Sequence, residues 1–342
     1  MKIIQKDPNK DFIILNVSDP QLSNEEWGKN HPHPKILTDT LTALIHRVQP
    51  DLITVSGDLA WGGNVLSCTR LAELIDQFGI PWAPIWGMND NLGGSNYIDS
   101  MGDILQSLQH CLYEKGPKTL GAGNYVIGIE EKGKIVEGLI LMDSHGTEYY
   151  QNEAGETFTL CAKLWPQQLS WYHEQVKMLE SKGCSDTTLI HHIPIFAYHS
   201  AFLEAFRHDC NPLDVSLEES YSGACWNDGY KDSFGVCHQS IASYHNSYGN
   251  CAEPMRRHPD DDGMFALIKE CGSTKTVLAG QDHTNNFVIS YEGVTLAYSL
   301  KLGAGSYWEP LLNGGTILRV SSRGVEEVRH EYVKIEFHYE IL

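Results

Sequence analysis

Five short apolar runs, each ending in oxygen or imidazole donors, limit what this chain can become. Phe12 to Val17 leads into Ser18-Asp19-Pro20-Gln21, Leu52 to Ser56 into Gly57-Asp58, and Pro81 to Trp86 into Gly87-Met88-Asn89-Asp90. Further on, Thr188 to Ile190 leads into His191-His192, and Thr276 to Ala279 into Gly280-Gln281-Asp282-His283. Runs of this length, rich in β-branched residues and stopped by Pro or Gly, are those of buried strands. Parallel strands present such residues at their carboxyl ends, where open α/β sheets bind ligands. Carboxylates, amides and imidazoles ringed in this way are the donor set of a metal site.

Between the first three runs, Ile36-Leu37, Leu41, Leu44-Ile45 and Val48, then Val65-Leu66, Leu71, Leu74-Ile75 and Phe78, recur at helical spacing. Residues 12–86 therefore read as strand, helix, strand, helix, strand with right-handed crossovers. Residues 105–112 read as a short helix, 124–129 and 135–143 as an antiparallel hairpin, and Pro166 to Leu179 as a helix with proline at its start. Phe265 to Ile268 belongs to another helix, and 286–290, 294–299, 315–320 and 326–340 are antiparallel strands divided by glycine-bearing turns. The fold class expected is α/β (α+β): a four-layer α/β/β/α sandwich of two mixed sheets. No linker divides the 342 residues, so one domain over 1–342 is expected, with a long loop insertion over about 208–262.

Composition removes several function classes. A formal charge of −19 repels a nucleic-acid backbone or an anionic membrane surface. No apolar run reaches membrane-spanning length, and Asp7, Asn9, Lys10 and Asp11 interrupt any leader-like pattern, so a cytoplasmic protein is expected. Nine scattered cysteines without a C-x-x-C pair read as reduced thiols. Cys210, Cys225, Cys237 and Cys251 share one polar segment; two disulfides or a zinc-stabilised scaffold are the other readings, at spacings that match no standard ligand pattern.

Paired metal ions suit phosphoester hydrolysis, because one generates hydroxide from bound water while both neutralise charge on the phosphoryl oxygens. The order Asp19-x-Gln21, Gly57-Asp58, Gly87-Met88-Asn89-Asp90, His192-Ile193-Pro194 and Gly280-Gln281-Asp282-His283 resembles the calcineurin-like metallophosphoesterases. Their usual order is Asp-x-His, Gly-Asp, Gly-Asn-His-Asp/Glu, His and Gly-His-x-His. The similarity spans nearly the whole chain and is nearest to the small branch related to plant purple acid phosphatases, to which Gly121 to Val126 and Leu141-Met142-Asp143-Ser144 are also similar. The resemblance implies that Asp19, Gln21, Asp58 and His283 surround one divalent ion, and that Asp58 bridges to a second that His192 helps to hold. Asn89 and Gln281 are the remaining ligand candidates, and Asn89 with Asp90 occupies the family's catalytic positions. Manganese, iron, zinc and magnesium all remain open as the metal.

Five departures stand out. Gln21 replaces a histidine, but an amide oxygen binds hard cations, and manganese-dependent ADP-ribose pyrophosphatases of the superfamily are similar at this point. Met88 puts a soft thioether where the family has an asparagine. Asn89 replaces the catalytic histidine and reads equally as a turn residue, and Gln281 replaces the first histidine of the last motif. Trp61 stands where a tyrosinate colours the purple enzymes and offers no lone pair, so a purple di-iron centre is not expected. His145, His191 and His199 read as structural or solvent-facing, and Trp82, Trp86 and Trp165 as core or site wall.

The function implied is a metal-dependent phosphoric ester hydrolase, phosphatase or phosphodiesterase, that uses metal-activated water at an atypical two-metal site. Its substrate is then a phosphorylated small molecule or phosphoprotein. The competing reading is a catalytically weak or inactive homologue that binds a phosphorylated ligand or partner, motivated by the changes at positions 88, 89 and 281.

Overall fold

A computed structural model describes residues 1–28, 30–151, 154–209, 239–240 and 247–334. The chain opens with β1 (Lys2–Gln5), β2 (Phe12–Val17), α1 (His33–Val48), β3 (Leu52–Val55), α2 (Val65–Asp76), β4 (Trp82–Pro84), α3 (Met88–Asn91) and α4 (Gly94–Ser107). The middle holds β5 (Tyr125–Glu131), β6 (Lys134–Leu141), β7 (Thr147–Gln151), β8 (Thr157–Cys161), α5 (Pro166–Ser181), β9 (Thr187–Ile190) and α6 (Phe196–Asp209). Last come β10 (Gln239–Ser240), β11 (Asn250–Cys251), α7 (Met264–Cys271), β12 (Thr274–Ala279), β13 (Val288–Tyr291), β14 (Val294–Tyr298), β15 (Gly314–Ser321) and β16 (Gly324–Tyr332).

Two large mixed sheets form. One has the order β16-β15-β2-β3-β4, with β2, β3 and β4 parallel; the other has the order β1-β5-β6-β9-β12-β14-β13, with β6, β9, β12 and β14 parallel. Side chains alternate across the second sheet as strand geometry requires. Ile127, Ile129, Leu139, Leu141, Ile190 and Leu278 join the core shared with the first sheet, whereas Val126, Ile140, Leu189, Val277 and Ala279 pack toward α5, α6 and α7. On the outer face of the first sheet, α1 buries Leu37, Leu41 and Leu44, and α2 buries Cys68, Leu71 and Ile75. Asn64 caps α2 by accepting from Ser67 N. The order of layers is helix, sheet, sheet, helix.

Several expectations need correction. The five donor-bearing strands do not belong to one parallel sheet: β2, β3 and β4 lie in one, β9 and β12 in the other. The helix expected at 105–112 is α4, ending at Ser107, while Cys111 bridges to Trp82. Glycines at 94 and 102 obscure the apolar face of that helix, which is Tyr97, Ile98, Met101 and Leu105. The expected insertion is partly built in, since Tyr248 pairs with Val288 and Asn250 N donates to Asn286 Oδ1 at 2.7 Å. Cys210, Cys225 and Cys237 lie outside the described residues, as do positions 335–342; Cys251 is a buried free thiol. Among the described residues no helix is long and apolar enough to cross a membrane.

Candidate metal centre

The first two donors share a backbone device. Asp19 and Asp58 follow β2 and β3 with φ of 54° each, so both chains enter the left-handed region just past the sheet. Aspartate tolerates that region better than most residues, and such positions collect at functional sites. Asp19 N donates to Gly57 O at 3.1 Å and Gln21 N to Asp58 O at 3.0 Å, which locks the two turns side by side. From the other sheet, the turn after β12 approaches at backbone distance: a Cβ on Gly280 would stand 2.1 Å from Ser18 Oγ. Gln281, itself at φ 78°, and His283 thereby reach the centre.

The result is a buried cluster of Asp19, Asp58 and His192. His192 Nε2 lies 3.3 Å from Asp58 Oδ1 and 3.9 Å from Asp19 Oδ1, and His283 Nε2 lies 3.4 Å from Asp19 Oδ1. The Gln21 amide sits 2.6 Å from His283 Nε2. Both imidazoles are held in one orientation, with His192 Nδ1 2.7 Å from Ser56 O and His283 Nδ1 2.6 Å from Tyr307 O. A carbonyl only accepts, so Nδ1 carries the proton and each Nε2 turns its lone pair inward, the usual arrangement of metal-ligating histidines.

Asp19 Oδ1, Gln21 Oε1, His192 Nε2 and Gln281 Oε1 are buried without a hydrogen-bond partner among the described residues. All four are lone-pair acceptors, and stranding one in a dry interior costs about 1–3 kcal/mol. Cations at this cluster would satisfy such acceptors, and a set of carboxylate, amide and imidazole donors fits a hard divalent ion. Charge balance points the same way. Burial works against the Asp19 anion, but His192 and His283 when protonated, together with Lys301, outweigh it and hold its carboxyl well below the usual range. Asp58 is raised, by burial and by the Asp19 charge, against the pull of His192 and Asn89. Two such carboxylates in one dry cluster require added positive charge.

Lys301 supplies part of that charge and was not legible as a site residue. It is 2% exposed, its Nζ donates to Asp19 O at 2.5 Å, and burial lowers its pKa to about 8. A single lysine inside the apolar run Leu296 to Leu302 is the only signal it leaves in the sequence.

The other flank of Asp58 is different. Asn89 donates twice to Asp58, from N to Oδ1 at 2.7 Å and from Nδ2 to Oδ2 at 2.6 Å. The Gln281 amide turns to Met88, with Nε2 3.7 Å from Sδ. Asp90 is buried. Both its oxygens are taken by backbone N–H groups, of Gly87 at 2.9 Å, Leu59 at 3.0 Å and Ala60 at 3.1 Å, and burial pushes its pKa up to about 7. It fastens the loops after β3 and β4 together.

The remaining candidates fall outside the ligand cluster. His191 Nδ1 is 2.7 Å from Ile193 O, and burial lowers its pKa to about 4, as it does for His199. His145 bonds Gln168 at 2.7 Å, lies 3.5 Å from Asp143 and stacks on Trp165, whose other surroundings form a cavity of about 350 Å³ beside α3. Trp82 and Trp86 are core residues, and Trp61 is 48% exposed.

No family profile matches the chain, and no curated protein matches its sequence. Solved structures do resemble it. It is similar to a dimetal phosphatase from Danio rerio, at 11% identity over 94% of this chain and 98% of that one, with a TM-score of 0.54. It is also similar to a purple acid phosphatase from yellow lupin seeds, at 11% identity over 90% of this chain and 49% of that one, with a TM-score of 0.46. The first likeness shows a shared fold: two mixed sheets flanked by helices, as in the calcineurin-like metallophosphoesterases.

Proposed function

We propose that this chain, with its calcineurin-like metallophosphoesterase fold, is a metal-dependent phosphoric ester hydrolase acting on a phosphorylated small molecule or phosphoprotein. The four stranded lone-pair acceptors gathered beside Asp58 carry the proposal. Asp19, Gln21, Asp58 and His283 would hold one divalent ion, with manganese suited to so oxygen-rich a set. His192 and Gln281, with Asp58, offer a second position that Met88 weakens. A bound divalent ion supplies Lewis acidity and lowers the pKa of water.

The protein's own groups do the rest. Ser56 O and Tyr307 O keep the two Nε2 lone pairs aimed inward, Asn89 fixes both oxygens of Asp58, and Lys301 offsets the charge of Asp19. Asn89 is an amide and delivers no proton to a departing oxygen; a general acid is typically worth about 10²–10⁴-fold. Esters whose leaving groups need no proton, such as aryl phosphates, are therefore favoured over alkyl phosphates.

Elemental analysis of the purified protein, combined with hydrolysis of an aryl phosphate across added metals, tests the proposal. One ion per chain and slow, metal-dependent turnover are expected. Wild type no faster than Asp58→Ala on any ester, while still binding phosphate-bearing ligands, would replace the hydrolase with the inactive binding protein.

A further inference from the structure

We propose that Arg256 recognises a second anionic group on the substrate, so that the preferred ester carries a phosphate or carboxylate on its leaving group; this rests on the hydrolase function proposed for the same centre. Arg256 is tied by its backbone to the metal-bearing loop. Its N–H donates to Asp282 Oδ1 at 3.1 Å and Oδ2 at 3.3 Å. Asp282 lies between Gln281 and His283, is buried, and is itself held by Tyr298 Oη at 2.7 Å and Asn285 Nδ2 at 3.2 Å. A buried carboxylate thus places the Arg256 backbone relative to two candidate ligands.

The side chain points the same way. Its guanidinium carbon stands 5.7 Å from the Tyr307 ring centroid, and Tyr307 stacks on His283 at 4.0 Å and 17°. The Tyr307 ring thus contacts both His283 and the exposed Arg256. A guanidinium lying over a ring keeps its edge N–H groups available, and their fork matches the paired oxygens of phosphate or carboxylate.

Nothing among the described residues uses that fork. Arg256 is exposed and its side chain makes no hydrogen bond or ion pair there. Arg47, Arg319, Arg323 and Arg329 all pair with carboxylates. The neighbouring Glu253 is occupied by Thr284 N, Thr284 Oγ1 and Tyr307 Oη, at 2.7, 3.0 and 2.6 Å. In a chain of formal charge −19, an arginine left unpaired at the rim of the centre is suited to an incoming anion. Among the described residues the Arg256 guanidinium meets the Tyr307 ring and bonds none of the candidate ligands, so that anion is a second group and not the one at the metal.

The test uses non-hydrolysable ligands on the metal-loaded full chain, with affinities from calorimetry: phenylphosphonate, benzene-1,4-diphosphonate and 4-phosphonobenzoate. Wild type should bind the diphosphonate about 10- to 100-fold more tightly than phenylphosphonate, the range of charge-assisted hydrogen bonds. Arg256→Ala should erase that advantage, leave phenylphosphonate within about twofold and unfold at the wild-type temperature, while Arg256→Lys keeps part of it. The 4-phosphonobenzoate arm shows whether a carboxylate serves as well as a phosphate. No advantage in wild type, or equal weakening of both ligands by Arg256→Ala, overturns the assignment of Arg256 alone. Failure of wild type to bind phenylphosphonate or to turn over any ester removes the hydrolase premise instead.

Discussion

The two flanks of Asp58 follow different chemistry. On the Asp19 side the donors are carboxylate, amide and an imidazole whose Nδ1 is committed to a backbone carbonyl, and lone pairs are left without donors. On the Met88 side hydrogen bonds take up part of the donor set: Asn89 donates to both oxygens of Asp58 and Gln281 Nε2 donates to a thioether, while Gln281 Oε1 and His192 Nε2 stay without partners among the described residues. Asn89 thereby does with two N–H groups part of what a second cation does by charge, since both quench lone pairs of the same carboxylate.

The largest effect should come from Asp58, the residue common to both flanks. Asp58→Ala should lower metal content from one ion per chain to near zero, bring hydrolysis to background and abolish the dependence of the melting temperature on added metal. An ion present at 100 times its dissociation constant contributes about 2.7 kcal/mol of stability, so chelation should destabilise wild type measurably and leave the variant unchanged. Unchanged stoichiometry in a folded variant would dissolve the distinction between the flanks.

Next in size is conversion of the weak flank. Met88→Asn with Asn89→His and Gln281→His should raise occupancy toward two ions and increase alkyl ester hydrolysis by about 10²–10⁴-fold, with a smaller gain on aryl esters. A rise for both ester types alike would mean that the second ion, and not the proton donor, was missing. Two ions already present in wild type would show that Gln281 and Asn89 serve as ligands.

Asp90→Asn should act at a distance from the metal. It replaces a carboxylate that accepts three backbone N–H groups with an amide that keeps a single acceptor oxygen, loosening the turn that carries Asp58. Loss of outer partners of this kind costs about 10–100-fold in metal affinity, measurable by competition with a chelator. Tyr307→Phe should do least, because the ring that covers His283 and the carbonyl that fixes it both remain, while one bond to Glu253 is lost. A stability loss of about 1 kcal/mol with metal affinity within about twofold is expected from denaturation and metal titration.

Much of the fold could be read in advance because it follows local rules. β2, α1, β3, α2 and β4 are contiguous and periodic, and each strand stops where Pro20, Gly57 or Gly87 ends the apolar run. β1 escaped notice because Lys2–Gln5 alternates only between partly and fully exposed positions and becomes a strand through β5, more than a hundred residues away. β7 and β8 are five residues each and pair only with one another, and the apolar face of α6 relies on alanines at 201 and 205, so these elements leave a weak signal in the sequence.

The site divides along the same line. Asp19, Asp58, His192 and His283 were legible because strand ends deliver them, and motif order does not depend on distances. The sequence by itself determined the donor types and their order, and put Met88 and Gln281 between the other candidate donors. Only the tertiary structure decided which of these meet: Gln21 and His283, 262 positions apart, touch because Gly280 lets one sheet's loop reach the other's. It also decided that Asp90 braces two loops, that Lys301 lies beneath Asp19 and that the Arg256 guanidinium lies over Tyr307. Charge and hydrogen bonding act through space, so a residue's role depends on which partners the packing of two sheets brings within a few ångströms, and linear order carries no record of that.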